Sequence, residues 1–318
     1  MLAASRLKAI MAASVLTLLF PLCGLACRWA QSNVSALSLR VQPAHSAEME
    51  TQVTLGAPLR IDSVSGDWAR VLTADGVTCY APLKSIVMKD SADMARWRRS
   101  PRVIVTALEP VRVVADTLGT GGADVVSDVT LCSVLEGSVA PGASYVSLRF
   151  PDGRRGFLPS WAVEDLTSWS CRSHTPDEII SVARSMTGVP YLWGGTTSKA
   201  VDCSGFTQTC FFYAGSLIPR NSRGQAAAGM PVDMDGGLHP CDLLFFGEGD
   251  GVKITHVGIS TGGSRFIHSS GLVFESSFDP ADPLFIPRKV LSAVRFQLDD
   301  PRFLVSRNTF YFPQDTAE

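Results

Sequence analysis

Two stretches of this chain repeat at a constant distance. SGDWARVLTADGVTCYAPLKSI, residues 65–86, and GASYVSLRFPDGRRGFLPSWAV, residues 142–163, align with an offset of 77. The offset matches Trp68 with Tyr145, Val71 with Leu148, Asp75-Gly76 with Asp152-Gly153, Tyr80 with Phe157 and Pro82 with Pro159. Upstream, TLGAPLRI (54–61) roughly matches TLCSVLEG (130–137). Each copy alternates apolar and polar residues around Asp-Gly, the pattern of a β-hairpin. Several short strands within about 65 residues predict a small β-barrel. The first half of the chain is thus constrained to two copies of one β module.

The 318 residues allow two or three domains. At 46% hydrophobic and 18% charged, the composition is that of a globular protein. A formal net charge of −2, with no long basic or acidic block, argues against nucleic acid and polyanionic partners. The N-terminus differs from the rest. Arg6 and Lys8 precede a charge-free stretch from Ala9 to Ala26, and Gly24 and Ala26 give a small-x-small cleavage site. Residues 1–27 therefore read as a secretory signal, and Pro21 and Gly24 disfavour a spanning helix. Gly24-Leu25-Ala26-Cys27 is also a degenerate lipobox, with Gly where lipoproteins usually carry Leu, so a lipid anchor at Cys27 stays open. The expected location is outside the cytoplasm, periplasmic or associated with the cell envelope. Of eight cysteines, 23 and 27 fall in the signal; the other six could pair in an exported protein, with a connectivity that spacing does not reveal. None stands in a C-x-x-C pair at zinc spacing, so no structural metal is expected.

Texture changes after Cys171. Thr175-Pro176-Asp177-Glu178 reads as a helix cap, with Pro in the first turn and acids behind it. Ile179, Ile180, Val182, Ala183 and Met186 follow at helical spacing, and Gly188 stops the helix. The expected organisation is a module over 32–92, a second over 100–170, and a mixed helix and strand domain over 174–318.

That third domain holds the chemistry. In AVDCSGFTQTCFFYAG, residues 200–215, Asp202 is a good N-cap, Phe206, Cys210, Phe211 and Ala214 mark a helical face, and Gly215 is a stop. Cys203 would sit in the first turn, where unpaired N–H groups and the helix dipole favour a thiolate. Thiols at such places fall to about 3.5–7.5, against about 8.5 for a free cysteine. Cys210 reads as a buried, inert cysteine. A thiol nucleophile needs a histidine base, and the base needs an orienting group. His256 and His268 stand in ITHVGISTGGSRFIHSSG, which reads as two strands around Thr261-Gly262-Gly263. A three-residue loop would place the two histidines directly opposite each other, about 5 Å apart. Two histidines on one sheet face also suit zinc, although a third ligand at local spacing is missing.

YLWGG (191–195), DCSGF (202–206), HVGIS (256–260) and FIHSSG (266–271) occur in this order, with Arg220-Asn221-Ser222 and Asp242-Leu243-Leu244-Phe245-Phe246 between them. As a set, over roughly residues 174–290, they resemble the NlpC/P60 cysteine peptidases of bacterial cell walls. G-D-W and D-G-x-x-G-F resemble the bacterial SH3 module, although the first copy has Cys79-Tyr80 where the second keeps Gly156-Phe157. The resemblance implies an α+β fold: a papain-like catalytic domain, with a nucleophile helix on an antiparallel sheet, behind two small SH3-like β-barrels. The barrels could bind the wall, shape the cleft or act as spacers.

It also implies Cys203 as nucleophile, His256 as base and His268 as the third, orienting member. Tyr191 matches a tyrosine near the oxyanion. Asp202, Ser204 and Ser222 match positions that receive the free amine of an N-terminal L-alanine. Each has a plainer alternative: Tyr191 packing beside Trp193, Asp202 as a helix cap, and the serines as local hydrogen-bonders. Cys241 stands where the family has Gly before Asp-Leu. The implied activity is hydrolysis of the γ-D-glutamyl–diamino acid bond, with meso-diaminopimelate (meso-DAP), in peptidoglycan stem peptides. No cofactor or metal is implied. An amidase or acyltransferase using the same thiol, and a non-catalytic wall-binding protein, are the competing readings.

Overall fold

The computed structural model describes residues 28–117, 124–247 and 252–313. The expected signal and Cys27 lie outside these residues. The first module holds seven strands: β1 Trp29–Ser32, β2 Ala36–Arg40, β3 Met49–Thr54, β4 Pro58–Ser65, β5 Trp68–Leu72, β6 Thr78–Pro82 and β7 Ile86–Lys89. Helix α1, Ser91–Arg99, follows behind an Asp90 capping box. The second module repeats the plan: β8 Arg102–Val105, β9 Val111–Val114, β10 Val125–Val129, β11 Val134–Gly137, β12 Tyr145–Arg149, β13 Arg155–Pro159, β14 Val163–Asp165 and α2 Leu166–Cys171. Alternation places Ala69 and Val71 of β5, and Val146 and Leu148 of β12, in the two cores.

The strand order is β3-β2-β6-β5-β4-β1-β7 in the first sheet and β10-β9-β13-β12-β11-β8-β14 in the second, the same order at the same steps. The repeated sequence therefore encodes one topology twice. The expected closed barrels are not formed. Each sheet stays open, with its third and seventh strands as unpaired edges. Both third strands turn instead to the catalytic domain. Thr196 Oγ1 donates to the Gln52 carbonyl of β3 at 2.8 Å, and Lys199 pairs with Asp128 of β10 at 2.5 Å. Lys199 also donates to Ser35 Oγ of the first module at 2.9 Å.

The third domain contains α3 Pro176–Ser185, the short hairpin β15 Thr196–Thr197 and β16 Ala200–Val201, α4 Cys203–Tyr213, α5 Ser222–Ala228, β17 Met230–Pro231, β18 Leu243–Phe246, β19 His256–Gly262, β20 Arg265–Ser270, β21 Leu272–Ser277 and β22 Val290–Arg295. Its six-stranded sheet runs β17-β22-β18-β19-β20-β21, antiparallel throughout. Strand β18 is wholly apolar because both of its faces are covered: Leu243 and Phe245 join the core of α3 and α4, Leu244 and Phe246 a second cluster. The fold is α+β, with helix α4, which begins at Cys203, laid on the sheet.

After β22 the chain returns to the modules. Val305 N–H donates to Gly215 O at 2.9 Å, and Asn308 Nδ2 to Ala74 O at 3.0 Å. Arg98 Nε donates to Phe310 O at 3.2 Å, and Arg102 donates to Tyr311 O. Arg102 is 3% exposed, its guanidinium 4.6 Å from the Trp97 ring centroid and 5.1 Å from that of Phe312. Among the described residues all six cysteines are free.

Candidate active site

Helix α4 starts where the β15–β16 hairpin ends. Asp202 has extended backbone, and its Oδ1 accepts the Gly205 N–H at 2.7 Å, so α4 begins at Cys203. Gly205 admits no side chain: a Cβ there would lie 1.9 Å from Gly195 O. Gly194 is equally constrained, with φ +78 and a Cβ site 2.6 Å from Met49 O of the first module. The glycines of YLWGG and DCSGF thus let the hairpin, the helix start and β3 close on one another.

The Asp202 carboxylate is fully engaged. Oδ1 also accepts Arg220 Nη1 at 3.1 Å and the Ser204 hydroxyl at 3.3 Å; Oδ2 accepts Arg220 Nη2 at 2.6 Å and Gly194 N–H at 2.9 Å. Arg220 is itself 5% exposed and donates from Nε to Thr51 Oγ1 of the first module at 2.9 Å. Asp202 therefore acts here as a cap and as half of a buried ion pair. Ser204 accepts Arg220 Nη1 at 3.0 Å and belongs to the same network. Ser222 opens α5, behind an Asn221 cap, and is half-buried. Gln225 ties that helix to α4, donating to Ser204 O at 3.0 Å and accepting from Thr207 at 2.9 Å.

The histidines share a face, though not in the register the sequence suggested. Gly258, not His256, lies opposite His268. The hairpin turns at Gly263-Ser264, two residues rather than three, and a bulge at Thr261 absorbs the difference. The extra residue preserves the parity of the pairing, so His256 and His268 become diagonal neighbours on one side of the sheet. His256 Nε2 lies 2.7 Å from His268 Nδ1, and His268 Nε2 lies 3.1 Å from Ser276 Oγ of β21. Rings bonded to each other in this way do not turn both lone pairs to a common ion.

The backbone N–H groups of Ser204 and of Val257, the residue after His256, favour the charged form of the Cys203 sulfur. Arg220 does the same, but burial and the Asp202 charge outweigh them, and the thiol is pushed up to about 11. The lowered value expected at the helix N-terminus is thus overturned by desolvation. Burial also holds His256 far below the ordinary histidine range, helped by His268 and Arg288, and lowers His268 to about 4. At rest the site holds a neutral thiol and neutral imidazoles. Tyr191, whose N–H donates to Gly271 O at 2.8 Å, is pushed up to about 12 by burial and by Cys203 and Asp202. Its phenol stays protonated and can donate.

Cys241 has φ +73, the left-handed backbone that explains a family preference for Gly there. Its thiol donates to Pro176 O at 3.0 Å. Sequence reasoning assigned no role to Arg220, Thr51, Gln225 or Ser276. Arg220 was visible inside Arg220-Asn221-Ser222, but nothing local showed that it reaches Asp202.

Comparison with known proteins follows the same divisions. The NlpC/P60 family profile matches residues 188–281, and the profile of the bacterial dipeptidyl-peptidase Sh3 domain matches residues 39–86. A gamma-D-glutamyl-L-lysine dipeptidyl-peptidase of Bacillus cereus is 27% identical over 254 residues, covering 76% of this chain and 73% of that protein. A Bacillus subtilis protein of the same name is 41% identical over 107 residues, covering 33% and 36%. The crystal structure of an NlpC/P60 family protein from Bacillus cereus superposes with a TM-score of 0.72 at 23% identity, over 84% of this chain and 99% of that one. The chain carries a bacterial SH3 domain followed by an NlpC/P60 domain, in one molecule with an SH3-like second module between them.

Proposed function

We propose that this protein is a cysteine peptidase that hydrolyses the γ-D-glutamyl–diamino acid bond of peptidoglycan stem peptides. The observation that supports it most directly is the polar chain His256–His268–Ser276, which runs across β19, β20 and β21 and starts on the strand whose Val257 N–H favours charge on the Cys203 sulfur. For His256 to accept a proton at Nδ1, its Nε2 must carry hydrogen and donate to His268 Nδ1. His268 then donates from Nε2 to Ser276. One tautomer of each ring satisfies all three roles.

Because thiol and imidazole are both neutral at rest, proton transfer accompanies attack. Cys203 Sγ adds to the glutamyl γ-carbonyl while His256 takes its proton. The Cys203 backbone N–H and the Tyr191 phenol can hold the oxyanion. His256 returns the proton to the leaving amine, and water, deprotonated by His256, releases the acyl group from sulfur. The two Bacillus relatives carry L-lysine in their names, so the class of leaving group is a diamino acid, with meso-DAP our choice here. Envelope location follows from such a substrate.

A preference for a free N-terminal L-alanine belongs to this reading and is carried by the resemblance at Asp202, Ser204 and Ser222. An ammonium group would have to share Asp202 with Arg220, since both carboxylate oxygens are engaged. The test is mass spectrometry of L-Ala-γ-D-Glu-meso-DAP digests, with kcat/KM on the N-acetylated and muramoyl forms. Free diaminopimelate and L-Ala-D-Glu as products support the peptidase; cleavage at any other bond removes it. Equal rates on the three forms remove the alanine preference alone.

A further inference from the structure

The loop between β21 and β22 brings a guanidinium to the site that the chemistry above does not use. Its backbone is pinned to the end of β21: Ser277 N–H donates to Leu284 O at 2.8 Å, and Ile286 N–H to Ser277 O at 2.9 Å. Arg288 N–H donates to Ile286 O at 2.8 Å, and Gly247 N–H to Lys289 O at 3.3 Å. Arg288 thus stands on held backbone, and the loop is anchored one residue from Ser276, the partner of His268. Its Nη2 lies 3.4 Å from Ser270 Oγ, and the next carbonyl, Gly271 O, accepts the Tyr191 N–H. The guanidinium sits where the strand of His268 meets the loop of Tyr191. Its positive charge acts on His256, His268 and Tyr191 alike.

Arg288 is half-buried, and none of the ion pairs among the described residues includes it. Arg172, Arg220 and Arg295, also half-buried or buried, are paired with Glu178, Asp202 and Asp242. A guanidinium has five donors in a planar fork that matches a carboxylate, and here one of them meets a single hydroxyl. We propose that Arg288 receives a carboxylate of the peptide substrate and so sets specificity. This rests on the reaction proposed above. Such a peptide offers a carboxylate beside the leaving amine, common to meso-DAP and lysine, and two that distinguish substrates: the free α-carboxylate of the γ-linked glutamate on the acyl side, and the distal carboxylate of meso-DAP, which lysine lacks, on the leaving side; the proposal concerns these two.

The experiment measures kcat/KM for wild type, Arg288→Gln and Arg288→Lys on three peptides. These are L-Ala-γ-D-Glu-meso-DAP, its D-isoglutamine form with the α-carboxylate amidated, and its L-lysine form. A charge-assisted fork predicts that wild type prefers the carboxylate over its neutral counterpart by roughly ten- to a hundredfold in one arm. Arg288→Gln should erase that preference, mainly through KM, and leave the other arm unchanged. Arg288→Lys should restore part of it, as a point charge without the fork. The arm that responds identifies the carboxylate. If Arg288→Gln lowers all three rates by one factor, or changes none, the role of Arg288 in reading either of these two carboxylates, and so in setting specificity, is wrong while the reaction stands. Wild-type enzyme that cleaves none of the peptides would overturn the reaction, and the receptor with it.

Discussion

Cys203 and Cys210 share one helix and carry opposite expectations. Cys210 is fully buried and its thiol is raised well above the ordinary value by burial, so it is packing. Cys203→Ala should abolish hydrolysis with an unchanged far-UV spectrum, whereas Cys210→Ala should stay active; turnover by folded Cys203→Ala would end the thiol mechanism. The histidines add a pH signature. His268 titrates near 4 in the fold and near 6.5 when free, and His256 is lowered further. Above about 6.5 neither folded nor unfolded chain binds protons at these rings, and their full stability contribution is present. As pH falls from 6.5 toward 4, the unfolded chain takes up protons that the folded chain refuses, and that contribution is lost. Urea midpoints should decline across this window, and His268→Gln should flatten the decline; an identical slope would refute it. Residue types and spacing made Cys203, His256 and His268 legible as a candidate group. Two φ values were not. Cys132, at +62, holds the left-handed slot that Gly56, at +80, fills in the first module, and Cys241 holds another. A short, buried side chain occupies each, and no local pattern announces it.

At the level of elements, α4 is set by its cap and by what the cap touches. Arg220→Met would leave the Asp202 carboxylate buried without its counter-charge, at a cost of about 3–5 kcal/mol. Adding Asp202→Asn should recover part of that loss, because the stranded charge goes with it. Denaturant unfolding of the two single variants and the double variant measures this, and strictly additive losses would mean the pair is uncoupled. The cap itself was readable from Asp202-Cys203-Ser204-Gly205. The ion pair was not, since 18 residues separate its partners in sequence. The β19–β20 hairpin divides in the same way. Alternation placed both histidines on one face, while the register depended on a bulge at Thr261 that compensates a shorter turn.

Across the whole molecule, the repeated Asp-Gly hairpins made the two β modules legible, and their identical strand order follows from them. Closure did not follow, because an edge strand can bond to another domain as well as to its own sheet. Gln52 and Asp128 use those edges to hold Thr196 and Lys199, just ahead of Cys203. The C-terminal return was wholly unforeseen, as its partners are guanidinium groups and rings more than 200 residues away in sequence. Ending the chain after Val305 should strip Arg98 and Arg102 of those partners and uncover Trp29 and Trp97. Such a chain should melt several degrees lower and be cut faster by trypsin near Arg98; unchanged digestion would show that the return is dispensable. The same clasp bears on how variants of the gene are read. A stop codon shortly after Val305 spares every residue of the candidate site, yet it deletes the segment that covers Trp29 and partners Arg98 and Arg102. Such an allele should behave as a loss of dosage, with less protein surviving and normal turnover per surviving molecule.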